Sequence, residues 1–142
     1  MADIAIQQPS GADLDVIHAA LTETYWSPGI SRETVARAFA NSLVALARDD
    51  HGALIGWARL VTDKTTFAWL CDVLVLPEHQ GKGIARALVG QFREHAELQG
   101  LRRWILGTRD AHGVYAELGF EPIAAPERLM EIRMPAPYGI PV

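Results

Sequence analysis

The stretch Asp72-Val-Leu-Val-Leu-Pro-Glu-His-Gln-Gly-Lys-Gly-Ile-Ala-Arg-Ala-Leu-Val89 organises the chain: an apolar strand stops at Pro77, and a glycine-rich turn opens a helix. Gly81 and Gly83 lack Cβ atoms, so the backbone there can turn left-handed and approach a ligand closely. Ile84, Leu88 and Phe92 then recur at helical spacing. The first N–H groups of such a helix have no partner within it, and the helix dipole adds partial positive charge at the same point. The turn therefore suits a phosphate-like anion, with Lys82 and Arg86 adding charge beside it. A glycine pair before a helix also serves plain turn geometry, so the turn alone leaves both readings open.

Spacing excludes two phosphate loops. A Walker loop ends in Gly-Lys-Ser/Thr, but Lys82 is followed by Gly83. A dinucleotide fingerprint needs Gly or Ala three residues after its second glycine, where this chain has Arg86. Gln80-Gly81-Lys82-Gly83-Ile84-Ala85 instead resembles the acyl-CoA loop of the GNAT family of N-acetyltransferases, Gln/Arg-x-x-Gly-x-Gly/Ala, with every fixed position filled. Val75 to His79 resembles that family's strand end, and Tyr115 with Gly119-Phe120 resembles its second landmark, Tyr-x-x-x-Gly-Phe. These landmarks anchor the C-terminal half, whereas the N-terminal half matches only in its order of elements.

The resemblance implies an α/β (α+β) fold, a mixed, mainly antiparallel central sheet flanked by helices. It also implies a single domain over residues 1–142, with an acyl-CoA-binding core at about 67–120, acceptor-side elements at about 10–66 and a tail at 135–142. The implied activity is transfer of an acetyl group from acetyl-CoA, as co-substrate, to a small-molecule or protein amine by direct attack in a ternary complex. In the family, the tyrosine matching Tyr115 commonly protonates the departing thiolate. The positions of Leu74 and Val75 match a splayed strand whose main-chain groups hold the pantetheine arm. Gln80, Gly81, Lys82, Gly83, Ile84, Ala85 and Arg86 fall on the cofactor loop. Many members have asparagine where this chain has Thr108, which puts a cofactor contact there in question.

Composition agrees with one soluble domain: 142 residues, 49% hydrophobic and 21% charged. A net charge of −4 disfavours nucleic-acid and anionic-membrane partners, while a homodimer is left open. The lone Cys71 makes no internal disulfide, and no run approaches membrane-spanning length, so a cytoplasmic protein is expected. The five histidines show no i, i+4 pair and there is no cysteine cluster, so no metal is expected.

Along the chain, Ile4 and Ile6 read as a first strand, and Ser10 caps a helix with Leu14, Ile17, Leu21 and Tyr25 on one face. Ser31 caps a second helix carrying Val35 and Phe39 inward. Leu43–Ala47 and Ala53–Val61 form a hairpin with a bulge at Gly56. Phe67–Leu76 reads as a central strand covered on both sides. The loop helix reaches Leu98, Arg103–Gly107 is a buried strand, Ala111–Leu118 is a last helix capped by Thr108 or Asp110, and Arg128–Met134 is a final strand before a mobile tail.

Tyr115 is the candidate general acid, with core packing as the competing reading; an ordinary phenol is protonated at neutral pH. Asp72 interrupts an apolar strand, so it needs a partner: a cationic amine acceptor, which it would anchor or deprotonate, or Arg59 or Lys64. Tyr25 and Trp26 are candidate acceptor-pocket residues, and Asp63 is a weaker one. A non-catalytic acyl-CoA sensor, a transferase of longer acyl groups and a structural subunit remain open alternatives.

Overall fold

A computed structural model describes residues 2–142. Five strands form one sheet in the order β1-β2-β3-β4-β5: β1 Asp3–Ile6, β2 Leu43–Arg48, β3 Leu54–Thr62, β4 Phe67–Val75 and β5 Arg103–Leu106. The first three pairings are antiparallel and β4–β5 is parallel, giving the expected mixed, mainly antiparallel sheet. Among the described residues four α-helices flank it: α1 Gly11–Leu21, α2 Arg32–Ala40, α3 Ile84–Glu94 and α4 His112–Ala116.

The period-2 alternation of strands sorts side chains onto two cores. Ala45, Ala47, Ala58 and Leu60 pack with Leu88, Val89 and Phe92 of α3. Val44, Leu46 and Trp57 pack with Ile17 and Leu21 of α1 and Val35 and Phe39 of α2. Both faces of β2 and β3 are thus covered, which explains their nearly unbroken apolar runs.

Both helix caps in the N-terminal half form as read. The Ser10 hydroxyl accepts from the Asp13 amide, and the Asp13 carboxylate accepts from the Ser10 amide. Ser31 accepts from the Thr34 amide. Asp13 also takes Arg48 in a two-pronged pair, Nη1 to Oδ1 at 2.9 Å and Nη2 to Oδ2 at 2.7 Å. Its side chain is only 7% exposed. The Arg48 hydrogen bond holds the Asp13 carboxyl below its usual range against the opposing effect of burial. A depressed carboxylate stabilises the fold above the unfolded pKa, and that stability is lost as pH falls through the folded pKa. Asp13→Ala is expected to cost about 2 kcal/mol at pH 7, through the lost cap and a stranded Arg48. The deficit should shrink below pH 4, which thermal melts from pH 7 to 3 will read.

Several expectations are corrected. α1 stops at Leu21, so Tyr25 lies in the following turn instead of on the helix face. β4 is covered on both sides only in part: Ala68 is fully buried, but Trp69 is 42% exposed and faces an open cleft. α3 ends at Glu94, because His95 turns extended and its Nδ1 accepts from the Glu97 amide at 3.1 Å. α4 is five residues long; Thr108 accepts from the Ala111 amide at its start, and Asp110 does not cap it. Arg128–Met134 forms no strand. In the tail, Ile140 and the Tyr138 carbonyl lie beside Gly29 of the α1–α2 turn.

Candidate active site

The site begins with a fault in the sheet. β3 and β4 pair Trp57 with Leu74 and Arg59 with Cys71, so Asp72 and Val73 together oppose Ala58. This is a bulge, and Asp72 sits in it at φ 51, a left-handed conformation in which Asp is among the less disfavoured residues. β5 pairs with β4 only from Phe67 to Leu70. From Cys71 to Val75 the far edge of β4 has no strand beside it, and its main-chain groups on that side are open to a ligand. Leu74 and Val75 lie in that segment.

The open edge runs into the glycine loop. Gly81 and Gly83 adopt φ 78 and 79, and a Cβ at either would meet only open space. Gly83 is the N-cap of α3, and among the described residues no side chain caps it. The first helical main-chain bond is donated by Ala87 to Gly83, so the amides of Ile84, Ala85 and Arg86 remain outside the helix ladder. Gln80 donates from Nε2 to the Val75 carbonyl at 3.0 Å, tying the loop to the strand end. Arg86 forms an ion pair with Glu117 at the end of α4, linking the two helices. Lys82 lines a hollow together with Gly83 and Ile84 of the same loop, and His79, Asp49 and Asp50 also border it.

Past the splay lies a cleft of about 290 Å³. It brings together Tyr25, Trp26, Asp72, Thr108 and Tyr115, all named from sequence. Asp63 is not among its walls; in the β3–β4 turn its oxygens accept from the Thr65, Thr66 and Phe67 amides and the Thr66 hydroxyl, which depresses its pKa. The Asp72 side chain, 12% exposed, has both oxygens engaged: Arg59 Nε donates at 2.7 Å and Trp26 Nε1 at 2.9 Å. Of the two partners weighed for it in the chain, Arg59 is the one it holds. Trp26 meets Tyr25 edge to face at 5.0 Å, and the Arg109 guanidinium stacks 3.8 Å from the Tyr25 ring centre.

Tyr115 is half-buried, packed on the α3-side core and edge to face with Phe120 at 6.0 Å. Burial, and secondarily Tyr25, raises its phenol pKa, so the hydroxyl keeps its proton across the neutral range. Cys71 also lines the cleft, and burial pushes its thiol up to about 11, which keeps it a poor nucleophile. Sequence reasoning passed over Trp69 and Asp110, which also line the cleft. Alternation with Cys71 and Val73 is the sequence signal for Trp69, whereas the sequence suggests only a capping role for Asp110.

The fold defines a small α/β domain in which a cradle of free helix amides follows an open strand edge. The acetyltransferase (GNAT) family model matches residues 13–120, and the chain belongs to that family. A crystal structure of a GNAT-family protein from Xanthomonas campestris superposes with a TM-score of 0.89 at 40% identity, covering 97% of this chain and 98% of that one. A GNAT-family acetyltransferase of Streptococcus pneumoniae gives 0.70 at 26% identity, covering 94% and 97%. FG08082 of Gibberella zeae, named as a candidate acetyltransferase, is 46% identical over 59 residues; the match spans 39% of this chain and 32% of that protein.

Proposed function

We propose that the protein transfers an acetyl group from acetyl-CoA to an amine in a ternary complex. The observation that carries this reading is the continuity of three features: the uncapped α3 amides, the open edge of β4 and the cleft holding Tyr115. The amides from Gly81 to Arg86 receive the pyrophosphate, with Arg86 oriented by Glu117. The main chain at Leu74 and Val75 aligns the pantetheine arm, and Gln80 fixes the loop against that strand instead of touching the ligand. The Thr108 hydroxyl accepts from the Ala111 amide before α4 and keeps its own proton to donate to a ligand in the cleft.

Acetyl-CoA supplies a thioester carbonyl. The neutral amine attacks it, a C–N bond forms, the C–S bond breaks, and Tyr115 gives its proton to the leaving sulfur; the proton shed by the amine nitrogen passes to water, and the Tyr115 phenolate is reprotonated from solvent. A raised phenol pKa keeps that proton available at neutral pH. The buried, protonated Cys71 supports direct attack over an acyl-enzyme. Initial rates are expected to give intersecting double-reciprocal lines; parallel lines would overturn direct transfer. Thiol release from acetyl-CoA with a panel of amines tests the reaction itself, and binding without turnover across the panel would favour a sensor.

Asp72 acts as a positioning residue that orients Trp26 at the acceptor side, because Arg59 and Trp26 occupy its oxygens. Asp72→Asn keeps an acceptor for Trp26 but sets an amide N–H₂ against the Arg59 donor. We expect a lower Tm and an acceptor KM raised about tenfold, with acetyl-CoA affinity unchanged. A lower Tm with an unchanged acceptor KM would reduce Asp72 to an ion-pair partner.

A further inference from the structure

The α1–α2 turn is tied to two different walls of the cleft. The Tyr25 hydroxyl accepts from the Arg109 amide in the β5–α4 loop at 3.3 Å, and the next residue, Trp26, donates to Asp72 on β4. The Tyr25 and Trp26 rings also brace each other edge to face. Turning Trp26 aside would break its hydrogen bond and take one donor from a largely buried carboxylate, so the indole is held in place.

Behind Trp26 lies a second cavity of about 230 Å³, which no step of acetyl transfer uses. Trp26, Cys71 and Asp72 line both cavities and so form the partition between them. Cys71 and Asp72 belong to the sheet, whereas Trp26 reaches in from a turn. The walls of the second cavity include Leu21, Ile30, Val35, Ala38 and Phe39, from the core under α1 and α2. Its polar groups are already engaged. The Ser27 hydroxyl donates to the Leu21 carbonyl, the Thr34 hydroxyl bonds Ser31, and Arg59 is held by Asp72, Ser42 and the Phe39 ring. What remains on offer is apolar surface, and an apolar cavity of roughly 150 Å³ is enough to hold benzene.

The cleft in front of Trp26 is short of free charge. Its two carboxylates, Asp72 and Asp110, are paired with Arg59 and Arg109, and Tyr25, Trp26 and Trp69 present ring surface. A second ammonium on the acceptor therefore meets carboxylates that are already paired, whereas a flat apolar body meets aromatic walls. We infer that Trp26 is the specificity-determining residue of the acceptor site: it confines the acceptor to a monoamine with one ring-sized apolar body and keeps longer amines out of the cavity behind it. The inference rests on the acetyl-transfer reading for the place of the amine beside Tyr115, but the size limit belongs to the cavities and shows in binding as well as in turnover.

Benzylamine and 4-phenylbutylamine, which differ only in linker length, probe that limit. The parent should favour benzylamine about tenfold or more in kcat/KM, the discrimination a bounded apolar site makes. Trp26→Ala joins the two cavities, and its preference should move about tenfold toward 4-phenylbutylamine, with the KM for acetyl-CoA unchanged. Trp26→Leu keeps an apolar side chain in the turn; it should shift the preference the same way and serves where the alanine protein does not fold. Adding Ala38→Leu to either variant puts a side chain into the second cavity and should cancel the gain. Ligand-observed NMR of both amines with the same proteins should give the same order without turnover. If none of the proteins turns over either amine, the acetyl-transfer reading fails and the NMR order decides this inference. A parent that takes both amines equally, a preference unmoved by shortening Trp26, or a gain that survives Ala38→Leu overturns it.

Discussion

Gly83→Val is expected to abolish measurable acetyl-CoA binding. Gly83 stands at φ 79 as the N-cap of α3, where no side chain covers the helix amides. Valine is penalised there twice. The left-handed conformation costs an L-residue about 1–2 kcal/mol, and the branched side chain projects into open space that the proposed pyrophosphate site would use. Strain and occlusion can be separated with a control. Gly100 has φ 88 with equally open space and stands outside the cleft, in the turn before β5. Gly100→Val should lose comparable stability and keep acetyl-CoA affinity in calorimetry. If Gly83→Val binds as tightly as its parent, the loop does not hold the pyrophosphate.

The features legible in the sequence were those set by a few adjacent residues. Ser10 and Ser31 announce helix starts because capping spans three residues, and Gly81 and Gly83 announce a left-handed turn because few other residues tolerate one. Tyr115 was legible through its spacing to Gly119-Phe120. The parts that escaped depend on distant chain segments. Asp72 signalled by its charge that it needed a partner, and Arg59 had been weighed as one, but its second partner, Trp26, is 46 residues away. The bulge at Asp72 is a mismatch between two strands, so neither strand's sequence alone states it. Residues 128–134 carry the composition of a strand, yet a strand exists only where another edge receives it. The docking of Tyr138 and Ile140 on Gly29 likewise belongs to packing between chain ends, which local pattern does not encode.

Tyr115→Phe is expected to keep acetyl-CoA affinity and lower kcat about a hundredfold or more, the usual contribution of a general acid. The substitution removes one hydroxyl and leaves the ring, so the edge-to-face contact with Phe120 and the packing on the α3-side core persist. The pH profile distinguishes lost acid catalysis from a subtle packing defect. In the parent, Tyr115 must be protonated, and burial places its pKa above the ordinary phenol value of about 10. The parent rate should therefore fall only as pH rises through that raised value, and in the variant this alkaline fall should vanish. A group with a raised folded pKa contributes stability that is fully present below the unfolded pKa and is lost as pH rises through the folded pKa. The parent should accordingly lose stability at extreme alkaline pH more steeply than the phenylalanine variant. Equal kcat for the two proteins, with coincident alkaline limbs, would return Tyr115 to the core and require another proton donor for the departing thiolate.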